Sequence, residues 1–183
     1  MPRYVRPRVP GATVFFTVAV AERGSRLLVD EVDRLREAVR ATRAERPFGV
    51  AAWVVLPDHL HCVWRLPQGD ADYATRWGAI KGRFSRAVRD AGWTRRAGFT
   101  PPSSFVGRNG GVNPALRHHK GEVGLWQRRF WERHVRDEEE LAAAIRYCWI
   151  NPVKHGLVER LEDWPWSSWH RDGRPPITGV THP

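Results

Sequence analysis

Two β-type runs, residues 50–56 and 60–66, stand on either side of Pro57-Asp58, which is turn chemistry. A third run of the same kind, Thr13-Val14-Phe15-Phe16-Thr17-Val18-Ala19-Val20, precedes them, and its β-branched and aromatic content predicts a buried strand. Helical periodicity lies between and after these runs. Residues 30–45 carry Val32, Leu35 and Val39 at helical spacing, with Asp30 as the expected N-cap. Residues 72–90 repeat Tyr73, Trp77, Ile80, Phe84 and Val88 at steps of three or four. Residues 126–135 read as a fourth strand. Asp137 with Glu140 then resembles a capping box opening a helix through Leu141, Ile145 and Cys148, which Pro152 is expected to end. The order βα, β, β, α, long loop, β, α predicts an α+β fold of the ferredoxin-like or RRM-like kind, an antiparallel sheet with helices packed on it.

The length of 183 residues suits one domain. Residues 1–11 read as a basic N-terminal arm, 12–170 as a single domain with a Gly/Pro-rich insertion at about 91–124, and 171–183 as a C-terminal tail. Lys and Arg total 30 against 20 Asp and Glu, a formal charge of +10, and a small chain this basic usually meets a polyanion, most commonly nucleic acid. No stretch approaches the ~20 apolar residues that span a bilayer, so no membrane partner is expected. The N-terminus has no apolar run behind its basic residues, and the two cysteines, Cys62 and Cys148, do not make a disulfide framework. A reducing, cytoplasmic location follows. The ten tryptophans fit a core, base-stacking platforms, or both.

Chemistry concentrates in two places. In the strand at 60–66, alternation puts His59, His61, Val63 and Arg65 on one face and Leu60, Cys62, Trp64 and Leu66 on the other. The two imidazoles then sit roughly 6.5–7 Å apart at the backbone, close enough for both rings to converge on one ion. A pair of surface histidines on a solvated sheet face is the ordinary alternative. The second place is the run from Tyr147 to Gly156. Tyr147 and Asn151, four apart near a helix end, share a face, although a half-buried core tyrosine and an Asn-Pro helix stop would look the same. Asn151 precedes Pro152, so helical geometry is expected to be failing there. The basic segments are candidates for DNA contact: Arg3, Tyr4 and Arg6 in the arm, Arg76, Lys81, Arg83, Arg86, Arg89, Arg95 and Arg96 along the second helix and beyond it, and Arg128 and Arg129 beside Trp126 and Trp131.

The sequence resembles the REP-associated tyrosine transposases, bacterial relatives of the single-tyrosine insertion-sequence transposases of the HUH superfamily. The resemblance runs through Pro10-Gly11 and Thr13 ahead of Phe15-Phe16-Thr17; Ala52-Trp53 through Pro57-Asp58-His59-Leu60-His61; Trp64, Leu66 and Pro67; and Ile80-Lys81 with Phe84-Ser85. It continues in Gly121-Glu122, Gly124-Leu125-Trp126-Gln127-Arg128-Arg129-Phe130-Trp131-Glu132, then Asn151-Pro152-Val153-Lys154-His155-Gly156-Leu157-Val158, and Asp163-Trp164-Pro165-Trp166-Ser167-Ser168. Val14, where the family often has an aromatic, and the Gly-rich 91–120 region depart from the pattern.

The resemblance implies an HUH nuclease fold, with His59 and His61 as the HUH motif, Tyr147 as the nucleophile and Asn151 as a third metal contact. It implies a divalent cation, Mg²⁺ or Mn²⁺, and single-stranded DNA carrying repetitive palindromic hairpins as the partner. The expected activity is single-strand cleavage and strand transfer through a 5′-phosphotyrosine. Lys154 and His155 are candidates to assist the tyrosine or the DNA. A monomer or a homodimer, associated with the nucleoid, is expected. Two other readings stay open: a non-catalytic RRM-like binder stacking bases on Phe15, Trp53 and Trp64, and a metal-dependent nuclease that uses water.

Overall fold

The structure, a computed structural model, describes residues 8–92 and 124–172. Arg3, Tyr4 and Arg6 of the arm, residues 93–123 of the insertion with Arg95 and Arg96, and residues 173–183 of the tail lie outside the described residues.

Four strands, β1 (Thr13–Ala19), β2 (Gly49–Val55), β3 (His59–Arg65) and β4 (Trp131–Val135), form one sheet in the order β2-β3-β1-β4 with every pairing antiparallel. The turn at Pro57-Asp58 closes the β2–β3 pair, and β1 comes back between β3 and β4. The fold is α+β, as the order of patterns predicts. In the central pair, Val14, Phe16 and Val18 lie opposite Trp64, Cys62 and Leu60, and all of these are fully buried. This face carries α2 (Val32–Glu45) and α3 (Tyr73–Asp90), which also pack on each other. Trp64 stacks on Trp77 of α3 at 4.4 Å between ring centroids and lies 4.0 Å from Phe48, while Phe16 meets Tyr73 at 5.3 Å. The apolar stripe read along residues 72–90 is thus the core face of α3. Asp72 caps it by accepting the Thr75 N–H at 3.0 Å.

The opposite face is covered by α4 (Glu138–Lys154), which packs on β2 and β3. Its start matches the capping expectation: Asp137 Oδ1 accepts the Glu140 N–H at 2.8 Å, and Glu140 reaches back to the Arg136 N–H at 3.0 Å. Three glutamates in its first turn suit the positive end of the helix dipole. With both faces covered, β1 and β3 are buried almost end to end. The aromatic run after α4 packs back on the domain along the outer edge of β2. Val55 N–H bonds to Trp166 O at 2.9 Å, Ser168 N–H to Trp53 O at 2.7 Å, and Trp164 Nε1–H to Val55 O at 2.9 Å. An edge that would otherwise offer unpaired backbone groups is closed. Cys62 and Cys148 are free and buried.

Four sequence expectations are corrected. The helical segment begins earlier than Asp30: a short turn, α1 (Leu27–Asp30), precedes α2, and Asp30 ends α1 instead of capping α2. The fourth strand is shorter than residues 126–135, because only Val20–Trp126 bridges ahead of β4. Pro152 does not end α4. It lacks one ladder donor, yet the buried side chains of Asn151 and Pro152 hold the last turn in place. The helix ends at a Schellman closure: Gly156 at φ +64°, with Leu157 N–H on Pro152 O and Gly156 N–H on Val153 O, each at 2.9 Å.

The fourth correction concerns Arg76, expected at a DNA surface. It is 3% exposed, and its guanidinium makes five hydrogen bonds: to Arg46 O, Pro47 O, Asp72 O and both oxygens of Asp70. That pairing holds the Asp70 carboxyl below its usual range. The planar fork ties the α2–β2 connection to the start of α3, a geometry an ammonium cannot reproduce. Arg76→Lys should therefore destabilise the fold by about 2–4 kcal/mol in chemical denaturation, because buried carbonyls lose their donors. DNA affinity measured well below the melting temperature should stay within a few-fold of wild type. A large affinity loss with unchanged stability would return Arg76 to the DNA surface.

Candidate active site

The β1–β3 register sets the site. Thr17 lies directly across from His61, and Ala19 across from His59, so both imidazoles emerge on the face under α4. They are not solvated: His59 is 4% and His61 1% exposed. Each ring has one nitrogen fixed by a neighbour. His59 Nδ1 is 2.7 Å from Asp58 Oδ1, and His61 Nδ1 is 2.9 Å from Thr17 Oγ1. In the tautomer whose Nδ1–H donates to these oxygens, Nε2 carries the lone pair, the form in which imidazole ligates a metal. Asp58 is itself held by the Gly24 N–H at 2.8 Å, which a left-handed turn at Gly24 (φ +73°) aims at the carboxylate.

Residues from α4 complete the group. Tyr147 and Asn151 sit one turn apart on the covered side. The Tyr147 ring meets His61 edge-on at 5.1 Å and Phe15 at 5.7 Å, and Phe15 stacks on His61 at 5.6 Å. Lys154 Nζ lies 4.9 Å from the Tyr147 ring centroid. His155, just past the helix, lies 5.2 Å from the His59 ring, which is 5.0 Å from His61. The structure thus brings together Tyr147, His59, His61, Asn151, Lys154 and His155, residues from two distant stretches of sequence.

Two atoms in this group are buried without a hydrogen-bond partner: His59 Nε2 and Asn151 Oδ1. A buried unsatisfied polar atom costs roughly 1–3 kcal/mol, so the pair marks a place where a ligand atom would be welcome. Among the described residues no group of three or more His, Cys, Asp and Glu side chains is arranged to hold a metal ion. The donor set here is instead two imidazoles and an amide oxygen. Such a set is neutral and fits a divalent cation that keeps positions open for phosphate oxygens.

The electrostatics agree. Burial drives the His61 ring well below its usual range, with the charges of His59 and His155 acting the same way and the Asn151 side chain opposing them. His155 is lowered mainly by burial and by His59. Burial alone would raise Asp58, but the hydrogen bond and charge of His59, the Gly24 N–H and Arg23 together hold its carboxyl below the ordinary value. The site therefore presents a neutral His61 ring near neutral pH, beside a His59 ring braced by an ionised carboxylate.

The other sequence candidates are spread over the surface. Arg86, Arg89, Arg128 and Arg129 are exposed. Arg128 and Arg129 precede β4, so strand alternation does not bury either. Lys81 donates to Gln127 O at 2.9 Å and lies 5.6 Å over the rings of Trp126 and Phe130. Arg83 bonds to Thr42 Oγ1 at 2.9 Å and pairs with Glu45. A base-stacking sheet of the RRM kind is disfavoured by burial: Trp64 is fully buried, Phe15 is 7% exposed beneath Tyr147, and Trp53 faces the other side. Sequence reasoning missed Thr17 as a site residue and read Phe15 only as a base-stacking platform, not as a neighbour of Tyr147 and His61. Only the strand register could have found them.

The depressed His61 has a consequence for stability in metal-free protein. The unfolded chain takes up its proton near pH 6.5, while the folded ring refuses it until well below that. Protons bind more to the unfolded state, so stability is full above pH 6.5 and falls as the pH drops toward 5, with a slope approaching about 1.4 kcal/mol per pH unit. The lowered carboxyls titrate below this window. Urea unfolding in EDTA should show the slope, and His61→Asn should reduce it to the smaller part that His155, also lowered, contributes.

No protein-family model matches the chain. A REP-associated tyrosine transposase of Escherichia coli K12 is 37% identical over 172 residues, which cover 94% of this chain and 85% of that protein. A chain of the same family name from Haemophilus influenzae is also 37% identical over 172 residues, covering 94% of this chain and 88% of its own length. The solved structure of a REP-associated tyrosine transposase bound to a REP hairpin superposes with a TM-score of 0.76 at 36% identity, over 100% of this chain and 93% of that one. The order of strands and helices, the paired histidines under a tyrosine helix and this extent of identity agree, and the chain belongs to the REP-associated tyrosine transposase family.

Proposed function

We propose that this protein cleaves and rejoins single-stranded DNA beside palindromic hairpins, with Tyr147 as the nucleophile and a divalent cation at His59, His61 and Asn151. The observation that carries the reading is the pair of buried, unpartnered atoms, His59 Nε2 and Asn151 Oδ1, grouped with the neutral ring of His61 next to the Tyr147 ring. The family relatives, one of them solved with a REP hairpin, support the choice of DNA. A cytoplasmic, nucleoid-associated location goes with that substrate.

A bound Mg²⁺ or Mn²⁺ would supply Lewis-acid polarisation of the scissile phosphate and charge stabilisation at the leaving oxygen. The chain supplies the rest. The Tyr147 Oη–P bond forms as the P–O3′ bond breaks, giving a 5′-phosphotyrosine and a free 3′-OH once the phenolic proton has left and the 3′ oxygen has gained one. Lys154, held over the Tyr147 ring, is placed to meet the phosphate that the tyrosine attacks. Thr17 and Asp58 keep the two imidazoles in one tautomer and orientation. Phe15 beneath Tyr147 and His61 limits water at the covered side. The covalent link retains the energy of the phosphodiester, so attack by a 3′-OH rejoins DNA without a nucleotide cofactor. Arg86, Arg89, Arg128 and Arg129 are left to meet phosphates.

The test is incubation with labelled hairpin oligonucleotides carrying a single-stranded flank. Tyr147→Phe should abolish both cleavage and the covalent adduct while hairpin binding stays within a few-fold. Cleavage that persists without an adduct would instead favour a water-using nuclease. In the same assay, EDTA, His59→Ala and His61→Ala should each remove cleavage. Asn151→Ala should be milder, since water can replace a neutral oxygen donor. Undiminished activity in EDTA would overturn the metal role.

A further inference from the structure

A groove of about 340 Å³ lies on the other side of the sheet from Tyr147, between α2 and the outer edge of β2. Its floor includes Trp53 and Trp166, and its walls carry Arg36, Arg40 and Arg43 from α2 and Arg171 from the short helix α5 (Trp169–Asp172). Strand alternation separates it from the active site: Trp53 pairs across from Cys62, whereas its neighbour Val54 pairs across from His61. Among the described residues that line it there is no Asp or Glu.

We propose that this groove is a second contact surface for single-stranded DNA, taking an unpaired base on its tryptophans and the adjoining phosphates on its arginines. The inference rests on the reading that the substrate is single-stranded DNA. Two half-buried indoles, one of them braced edge-on by Trp164 at 4.8 Å, form a platform that needs no reorganisation. Stacking on such rings tolerates any base but requires one that is not already stacked in a duplex.

The arginines are placed to serve it. Arg43 is fixed by its Nε–H on Phe48 O at 3.0 Å, and Arg171, which also pairs with Asp172 at 2.7 Å, is anchored on Val50 O at 3.2 Å, at the bulge between Val50 and Ala52. Arg36 and Arg40 are largely exposed and, among the described residues, pair with the surface carboxylates of Asp33 and Glu37. Exposed pairs of that kind hold weakly and exchange readily for phosphate. The groove also adjoins the tyrosine helix. Ser168 Oγ accepts both the Trp53 N–H and the Nε1–H of Trp149, two residues beyond Tyr147, each at 3.0 Å. A strand leaving the active site can therefore follow the β2 edge into the groove.

The test uses the full chain and a fluorescein-labelled oligothymidylate of about 12 nucleotides, measured by anisotropy over a salt series. Arg36→Glu/Arg40→Glu should weaken binding at least tenfold and make the log–log salt slope shallower by about 1.4, for two phosphate contacts on a single strand. Arg36→Gln/Arg40→Gln, which adds no repulsion, should show the same shallower slope with a smaller loss. Replacing thymine by 5-iodouracil and irradiating should give adducts on Trp53 or Trp166, mapped by mass spectrometry. Affinity within twofold of wild type in both variants, photoadducts confined to other residues, or competition by blunt duplex or polyglutamate as strong as by unlabelled oligothymidylate would each overturn the proposal. Formation of the Tyr147 adduct on a hairpin oligonucleotide is scored in parallel. An adduct with no groove dependence rejects the groove alone, whereas groove binding without an adduct rejects the cleavage reading alone.

Discussion

The pairing of β1 with β3 is the constraint on which the rest of the molecule depends. The side chains of a strand alternate with a period of two, so a slip of one residue would turn every side chain of β3 to the opposite face. His59 and His61 would then enter the tryptophan core beneath α3, and Trp64 would lie under α4. The observed register avoids this because Phe16, Trp64, Trp77 and Phe48 form a close aromatic cluster on one face. Burying each of these rings is worth about 1.5–3 kcal/mol. Apolar packing on one side of the sheet thereby fixes polar geometry on the other.

That polar geometry is costly in isolation. Two imidazoles, a threonine hydroxyl and an asparagine amide are buried under α4, and two of their atoms lack partners. A chain selected only for stability would place apolar residues there. The surrounding groups limit the expense by satisfying one nitrogen of each ring, through Asp58 and Thr17, and leave the other free. Local destabilisation in exchange for a pre-organised donor set is the pattern expected of a ligand site. The Schellman closure at Gly156 serves the same end. By carrying α4 through Pro152, it keeps Asn151 on a rigid helix and sets His155 at its end.

The basic charge of the chain is distributed unevenly in function. Arg76 is absorbed by the fold, where its fork joins two loops, and Arg83 is paired with Glu45 on α2. Others remain at the surface, on α3 and ahead of β4. Counting positive residues along a helix does not separate these roles, because an arginine facing inward can be satisfied by carbonyl oxygens that come from elsewhere in the chain. The five acceptors around Arg76 come from Asp70, Asp72, Arg46 and Pro47, and the last two are distant in sequence.

The sequence by itself determined the class of fold, the positions of the first three strands, the capped start of α4, and the face shared by His59 and His61. Each of these depends on local periodicity or on side chains a few residues apart, and that information is contiguous in the chain. It also determined family membership through ordered motifs spread along most of its length, which the identity to relatives matches. Tertiary structure alone decided which residues surround those motifs. Thr17 meets His61 across 44 positions of sequence, Phe15 lies under Tyr147, and Arg76 turns inward. Tertiary contacts also overrode local rules, since α4 runs through a proline that was expected to stop it. Register and packing are set by free energy summed over the whole sheet, and no window of sequence contains that sum.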